Sequence, residues 1–294
     1  MDETLVLAWV AATLRAATPL LLVLLGETLT QRAGIVNLGV EGQMLMGAVV
    51  GFAVAATIGN PFWALMAGAA AGLVLSLMHA ALCLGFRANQ LGSGIAVWIL
   101  GLGLSAYVGR PYIGAKVETF GMVLGMSPVI WVALLLAPLL GAWLYGTRTG
   151  LTWCAVGESV EHSSALGIRP RIVQLQAILV GGLLSGLGGA VLSVDYTQTW
   201  ANELTKGRGL VAVGLVIVAR WNPFFVLPTA LLFGLFEAAV LRLQAMGLQV
   251  SSYLLACLPY AMCLAVLVAT HWVTGRSSHM PESLKNVFDT GRSA

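Results

Sequence analysis

Long apolar runs separated by short polar breaks fill almost the whole chain. Bounded by charge, Pro or Gly, they fall near 5–25, 35–58, 62–86, 91–109, 127–146, 172–194, 209–220, 224–246 and 251–273. A hydrocarbon core roughly 30 Å thick takes about 20 helical residues to cross, and these runs show no alternation of apolar and polar positions. Backbone groups in lipid must be satisfied internally, which makes such runs helices. The pattern predicts an all-α, polytopic transmembrane helix bundle of about nine membrane segments (eight to ten), forming a single domain over residues 1–294. Two segments stand apart. The run Gly209–Ala219 is short enough to be re-entrant or broken. The run after Gly34 carries Asn37, Glu41 and Gln43, so it is expected to unwind or to lie in the protein interior.

Composition sharpens the class. Hydrophobic residues make up 59% of the chain, charged residues 9%, and the mean hydropathy is +0.90. Soluble domains carry about 25% charged residues, so this surface belongs in a lipid bilayer. A net charge of +3 gives no nucleic-acid signal. With nine spans, one side collects Arg32, Arg87, Arg148, Arg169, Arg171, Arg220, Arg276, Lys285 and Arg292. The other collects Arg110, Lys116, Lys206, Arg208 and Arg242. The richer side is expected to be cytoplasmic, which puts the N-terminus outside and a short tail, 274–294, inside.

The longest strongly polar break, 146–171, falls on that cytoplasmic side. Ser159 can cap a short helix through Ala165 and Leu166, and Gly167 can end it in a left-handed conformation. Pro170 then blocks continuation. Such a stub would show Glu158, Glu161 and His162 to water beside an apolar strip of Val160, Ala165 and Leu166. It reads as a docking knob for a soluble partner; a plain connecting loop is the alternative.

Candidate chemistry is sparse. Lys116, Lys206 and Lys285 are the only lysines, and none follows a phosphate-binding glycine loop. His79, His162, His271 and His279 form no metal motif, and Cys83, Cys154, Cys257 and Cys263 match no zinc or redox spacing. No catalytic residue and no metal site is expected. Uphill transport would draw on an ion gradient or on a partner that hydrolyses nucleotide. Charges at membrane depth are costly and usually face the interior or a water-filled route, which singles out Arg15, Glu27, Glu41 and Glu237. A helix through 37–43 places Asn37 and Glu41 on one face, with Gln43 turned away. These groups either line a pathway or tie helices together. Asn89, Gln90 and Ser93 follow Arg87 at a span boundary, where they can gate a route. Glu237 has no partner visible in sequence. The pairs Gly47/Gly51, Gly68/Gly72 and Gly182/Gly186 predict close helix approach, for packing or for sliding during gating.

Several ordered blocks resemble one family. GETLTQRAGIVNLGVEGQMLMGA at 26–48 is similar to the opening signature of branched-chain-type ABC importer permeases, in the simple-sugar and nucleoside group. RANQLGSGIAVWILGLGLSAY at 87–107 continues it, and AVGESVEHSSALGI at 155–168 resembles the coupling-helix loop that seats in the ATPase. YTQTWANELTKGRGLVAVGLVIVARWNPF at 196–224 and LRLQAMGLQVSSYLLACLPY at 241–260 resemble the closing third. The chain departs from the family at Ser159-Val160, where Asn-Pro is usual, and between Asp195 and Trp200.

The resemblance implies a type II-like permease, the shorter of a nucleoside-uptake pair, in the bacterial cytoplasmic (inner) membrane. It implies a second homologous permease chain, an ATP-binding subunit holding ATP and Mg, and an extracellular or periplasmic substrate-binding protein. No cofactor is implied in this chain. By the same resemblance Gly157, Glu158, Ser159, Glu161, His162, Ala165, Leu166 and Gly167 would couple to the ATPase. Asn37, Glu41, Gln43, Asn89, Gln90, Ser93 and Trp98 would face the translocation pathway, and Trp200, Glu203, Lys206 and Arg208 would receive the binding protein. Nucleosides, purine ones first, are the expected cargo, with simple sugars, nucleobases or flavins as alternatives. An ion-coupled secondary transporter is the reading from another class.

Overall fold

The computed structural model describes residues 3–246, 251–274 and 280–289, and within them the chain is helical almost throughout. The helices are α1 (Glu3–Arg32), α2 (Val40–Ile58), α3 (Pro61–Ala80), α4 (Gln90–Gly109), α5 (Pro128–Gly146) and α6 (Arg148–Glu158). They continue with α7 (Val160–Ala165), α8 (Pro170–Ala190), α9 (Arg208–Val218), α10 (Pro223–Ala245), α11 (Ser252–Thr274) and α12 (Glu282–Asp289). Single π-helical stretches, Ala81–Gly85 and Val191–Tyr196, extend α3 and α8. Starts are written in the sequence. Asn60, Ser127 and Asn222 each accept a backbone N–H two residues on, and each precedes a Pro that fits the first helical turn.

Seven of these helices are long and apolar enough to cross a membrane: Val6–Arg32, Val40–Ile58, Pro61–Gly85, Gln90–Tyr112, Pro128–Gly146, Pro170–Tyr196 and Pro223–Ala245. The sequence predicts about nine (eight to ten), and these seven are found among the described residues. The segment at 209–220 is α9, whose 11 residues reach only about 16 Å at 1.5 Å per residue. The segment at 251–273 is α11, a helix of 23 residues. All-α, polytopic and membrane-bound is the architecture that stands.

The middle of α1 is buried on every face, Leu20 through Leu25 included. A helix apolar all round belongs in the centre of a bundle, and α1 packs there against α8, α10, α9 and α5. Around it α2, α3 and α8 form the tightest trio. A Cβ added at Gly47 or Gly186 would overlap the backbone of the facing glycine helix, and one at Gly72 would overlap Gly182 O. All three predicted glycine pairs therefore meet in one seam, where the absent side chains let backbones touch.

The termini of the spans sort onto common ends. Gly157 lies against Arg32 and Gly34, and Ser283 Oγ donates to Gly157 O. The α1–α2 break, the 146–171 segment and α12 thus share one end of the bundle. The tail is not a free strand over 280–289: Leu284 is buried and α12 packs on α6.

The seam makes a sharp expectation. Gly186→Ala and Gly47→Ala each force backbone apart and should destabilise by about 1–3 kcal/mol or more. Gly103→Ala, where nothing lies within 4 Å of the new carbon, should be neutral. Thermal unfolding of the purified variants in detergent measures both, and equal midpoints would remove the seam's role.

Candidate functional site

Two helices start inside the bundle rather than at its surface. After α1 the chain turns through Gly34, whose φ of +84° suits glycine, and it stays irregular until Gly39. After Tyr196 the chain runs irregularly to Gly207, burying Trp200, Leu204 and Thr205, before α9 begins. Irregular backbone at membrane depth needs partners within the protein, and buried polar side chains supply them.

Glu41, in the first turn of α2 and 3% exposed, supplies the most. Its Oε1 accepts from Thr205 Oγ1 at 2.5 Å and from Gly207 N at 2.9 Å, and its Oε2 accepts from Gly209 N at 2.7 Å. The carboxylate therefore caps the N-terminus of α9, where free N–H groups and the helix dipole favour negative charge. α2 and α9 are locked start to start. Gly209 permits it, since a Cβ there would meet the backbone of Glu41.

A second cluster holds the α1–α2 break. Asn37 Oδ1 accepts from Gly39 N at 2.9 Å, and Asn37 Nδ2 donates to Gln43 Oε1 at 3.1 Å. Gln31 Nε2 donates to Glu27 Oε1 at 2.9 Å, and Trp221 Nε1 donates to Gln31 Oε1 at 2.6 Å. Val36 N donates to Gln90 Oε1 at 3.0 Å. This corrects the expected common face of Asn37 and Glu41. Helical spacing does not apply to Asn37, because α2 begins only at Val40; Asn37 pairs with Gln43, and Glu41 turns to α9.

The other expected pathway residues fall in different places. Asn89 caps α4 by accepting from Leu91 N and Gly92 N. Ser93 joins a buried cluster with His79 and Cys83, at 3.2 Å and 2.9 Å. Trp98 stays half-buried on α4, with its Nε1 buried and unpartnered, as is Gln43 Nε2. Among the four expected docking residues, Glu203 and Lys206 are exposed, both in left-handed backbone. Trp200 and Arg208 correct the expectation. Trp200 is 1% exposed and wedged against Gly109. Arg208 pairs with Glu237, which also accepts from Tyr196 Oη at 3.4 Å. Their chain separation of 29 residues hid that partner from sequence reading.

At the far end of the bundle from Gly157, a cavity of about 500 Å³ is lined by Arg15, Ser127, Asp195, Tyr196, Gln198 and Arg242, with apolar neighbours. In the sequence Asp195 marks only the edge of a stretch that departs from the family, and Arg242 counts only among the charges of one side. Arg15 inside an apolar run was the available signal.

The short surface helix forms as the residues suggest. Ser159 Oγ accepts from His162 N at 3.2 Å, α7 runs Val160–Ala165, and Gly167 sits at φ +79°. Glu158, Glu161 and His162 are exposed beside Val160, Ala165 and Leu166, and Leu166 is 79% exposed. Pro170 does more than stop that turn, since it opens α8. The preceding residues 148–158 are themselves helical, capped by Thr147. Trp153 of α6 stacks edge-on against Trp143 at 5.0 Å. Burial pushes the Cys154 thiol up, with Arg32 opposing and Glu158 reinforcing the shift.

Arg32 connects the two regions. Its Nε donates to Trp221 O at 2.6 Å, its Nη2 donates to Tyr145 Oη at 3.2 Å, and its Nη1 lies 3.8 Å from Glu158 Oε1. One side chain thus ties the end of α1 to the α9–α10 turn, to α5 and to the end of α6. Among the described residues no group of three or more potential ligands could hold a metal ion.

Comparison with known proteins places this architecture. The family model for the branched-chain amino acid transport system permease component matches residues 9–271, and the chain belongs to that family. It is 38% identical over 256 residues to TsgC13 of Haloferax volcanii, provisionally named a glucose ABC transporter permease, covering 81% of this chain and 78% of that one. It is 31% identical over 252 residues to the guanosine ABC transporter permease NupQ of Bacillus subtilis, covering 76% and 79%. The nucleoside ABC transporter permease NupC of Lactococcus lactis is 29% identical over 286 residues, covering 88% and 90%. No solved structure matches the chain significantly.

The Glu41 cap yields a graded expectation. Hydrogen bonds to a charged group contribute about 1.5–3 kcal/mol, so Glu41→Ala should lower the unfolding midpoint most, Glu41→Gln less, and Thr205→Val least. Thermal unfolding in detergent ranks them. A Glu41→Ala protein as stable as the parent would mean α9 finds its partners elsewhere.

Proposed function

We propose that this permease-family chain forms half of the pathway of an ATP-driven importer in the cytoplasmic membrane, with α7 as the element that receives the ATPase. The observation that carries the reading is the exposed, doubly capped α7 between two membrane-spanning helices, joined to the broken-helix junction through Arg32. A six-residue helix with an exposed apolar strip gains little from standing alone; a soluble partner that covers Val160 and Leu166 accounts for it. Force applied there reaches α6, then Arg32, then Trp221 at the end of α9.

The remaining machinery follows from the same reading. A second permease chain completes the pathway, a separate subunit binds ATP with Mg, and a binding protein delivers solute at the far end, where Glu203 and Lys206 are exposed. That end also carries the 500 Å³ cavity, large enough for a small polar solute. The relatives are named for guanosine, nucleosides and glucose. A polyhydroxylated cargo is common to all three. We take a nucleoside as the first cargo to test, because two of the three are named for nucleosides, and a hexose as the second, because the 38% identity lies on that side.

Ion coupling is disfavoured by the pairing of its motivating residues. Glu41 is saturated by three donors, and Glu237 is paired with Arg208.

Leu166→Glu should leave folding intact, since the side chain meets water, and should cut ATP-driven uptake at least tenfold by placing charge in the apolar contact. The measurement is uptake of labelled nucleoside and of labelled glucose by the assembly in vesicles with internal ATP. Uptake that persists in the Leu166→Glu assembly, or that this chain sustains alone without an ATPase, would defeat the coupling assignment.

A further inference from the structure

We propose that the groove between α7 and the start of α8 binds the phosphate headgroup of an anionic phospholipid. The groove encloses about 610 Å³ where the π-helical end of α3, the start of α4, α7 and the start of α8 converge. Arg87, Arg169 and Arg171 all line it, and no Asp or Glu does. None of the three guanidinium groups makes an ion pair or hydrogen bond among the described residues. Three unneutralised cations on one concave surface form a strong anion field.

Two further features point to an occupant. α8 has 21 residues and no side-chain cap on its first turn, because Arg169 occupies the capping position. Pro170 carries no N–H and Ile172 N bonds to Arg169 O, which leaves Arg171 N and the helix dipole to face an anion. Gln174, one turn in, is 9% exposed, lines the groove and has no hydrogen-bond partner among the described residues. Its amide is thus a free donor on the groove wall, to which a phosphate oxygen would bind.

Position selects a lipid over a free anion. Three membrane-spanning segments end at this level: Pro61–Gly85 ends here, and Gln90–Tyr112 and Pro170–Tyr196 begin here. That is the headgroup depth, where basic pockets between spans bind anionic headgroups. Apolar side chains continue from the groove toward the hydrocarbon, with Phe86 80% exposed beside it and Leu77, Met78, Ile172 and Leu175 exposed on α3 and α8. A phosphodiester with acyl chains satisfies both halves. Val160 and Ser164 of α7 form one wall, so a seated headgroup would brace α7 against α8. The binding claim rests on the membrane fold and stands whether or not α7 meets an ATPase.

The test is native mass spectrometry of the full purified chain in detergent, titrated with phosphatidylglycerol or phosphatidylcholine. The expected result is one retained phosphatidylglycerol, preferred at least tenfold over phosphatidylcholine. The preference should fall at least tenfold in R87Q/R169Q/R171Q and weaken in Q174L, but hold in R110Q/K116Q at the opposite end of the bundle. Should the triple variant not fold, R171Q alone carries the comparison, because its side chain is exposed and unpaired. No headgroup preference in the parent, or an equal one in the arginine variants, overturns the proposal. Displacement of the lipid by millimolar inorganic phosphate would reassign the groove to a free anion. Displacement by the ATP-binding subunit would reassign it to protein contact.

Discussion

The contact on which this bundle depends is a carboxylate placed against the open end of a helix. α9 begins where the chain folds back into the bundle, and an N–H group left unsatisfied at that depth would cost several kcal/mol, roughly, by transfer measurements. Glu41 answers with three accepted bonds. The same contact resolves the cost of Glu41 itself, since a buried charge is tolerated only when paired or fully hydrogen-bonded. Neither group is affordable alone. Together they make a junction at which α2 and α9 can both be interrupted, and interrupted helices are what membrane transporters use to expose backbone and dipole ends to a pathway.

The sequence carried the parts of this architecture that depend on local physics. The apolar runs located the spans, and the paired glycines located the α2–α3–α8 seam. Ser159 and Gly167 bounded α7, because capping and left-handed termination act within a few residues. The shortness of 209–220 was legible as a break. What was not legible depended on distant partners. Arg208 and Glu237 meet only after α9 and α10 fold together. Trp200 looked like a surface aromatic because nothing local shows that Gly109 leaves it a slot. Residues 148–158 lacked an apolar period, so α6 read as loop; Thr147 was the missed cap. Asn37 was placed on a helix that starts three residues later, since Gly39 does not announce itself as a start against Gly34.

The shortness of α9 has a related reason. Hydropathy measures whether a run can lie in lipid, not whether it crosses. α9 is apolar, yet its outer half is replaced by the irregular stretch 197–207, which buries Leu204 and Thr205 in protein. Such a hybrid is stable only if the irregular half is covered, and the pairing of Arg208 with Glu237 and the bond from Tyr260 Oη to Lys206 O at 2.8 Å provide that cover.

Arg32 gathers distant parts of the bundle at one point. Its bonds to Trp221 and Tyr145 and its approach to Glu158 converge at the end of the central helix. Gln31, its neighbour, reaches Trp221 through the indole, so the turn after α9 is held from both sides. Arg220 and Trp221 in that turn adopt φ of +54° and +52°, conformations that non-glycine residues keep only where surrounding contacts enforce them. The strained turn and the end of α6 thus meet on one guanidinium. The tight glycine seam lets α2, α3 and α8 transmit displacement as backbone against backbone, with no soft side chains between them. Rigidity in the seam and strain in the turn together favour discrete rearrangement over gradual bending, because closely packed interiors have few intermediate arrangements.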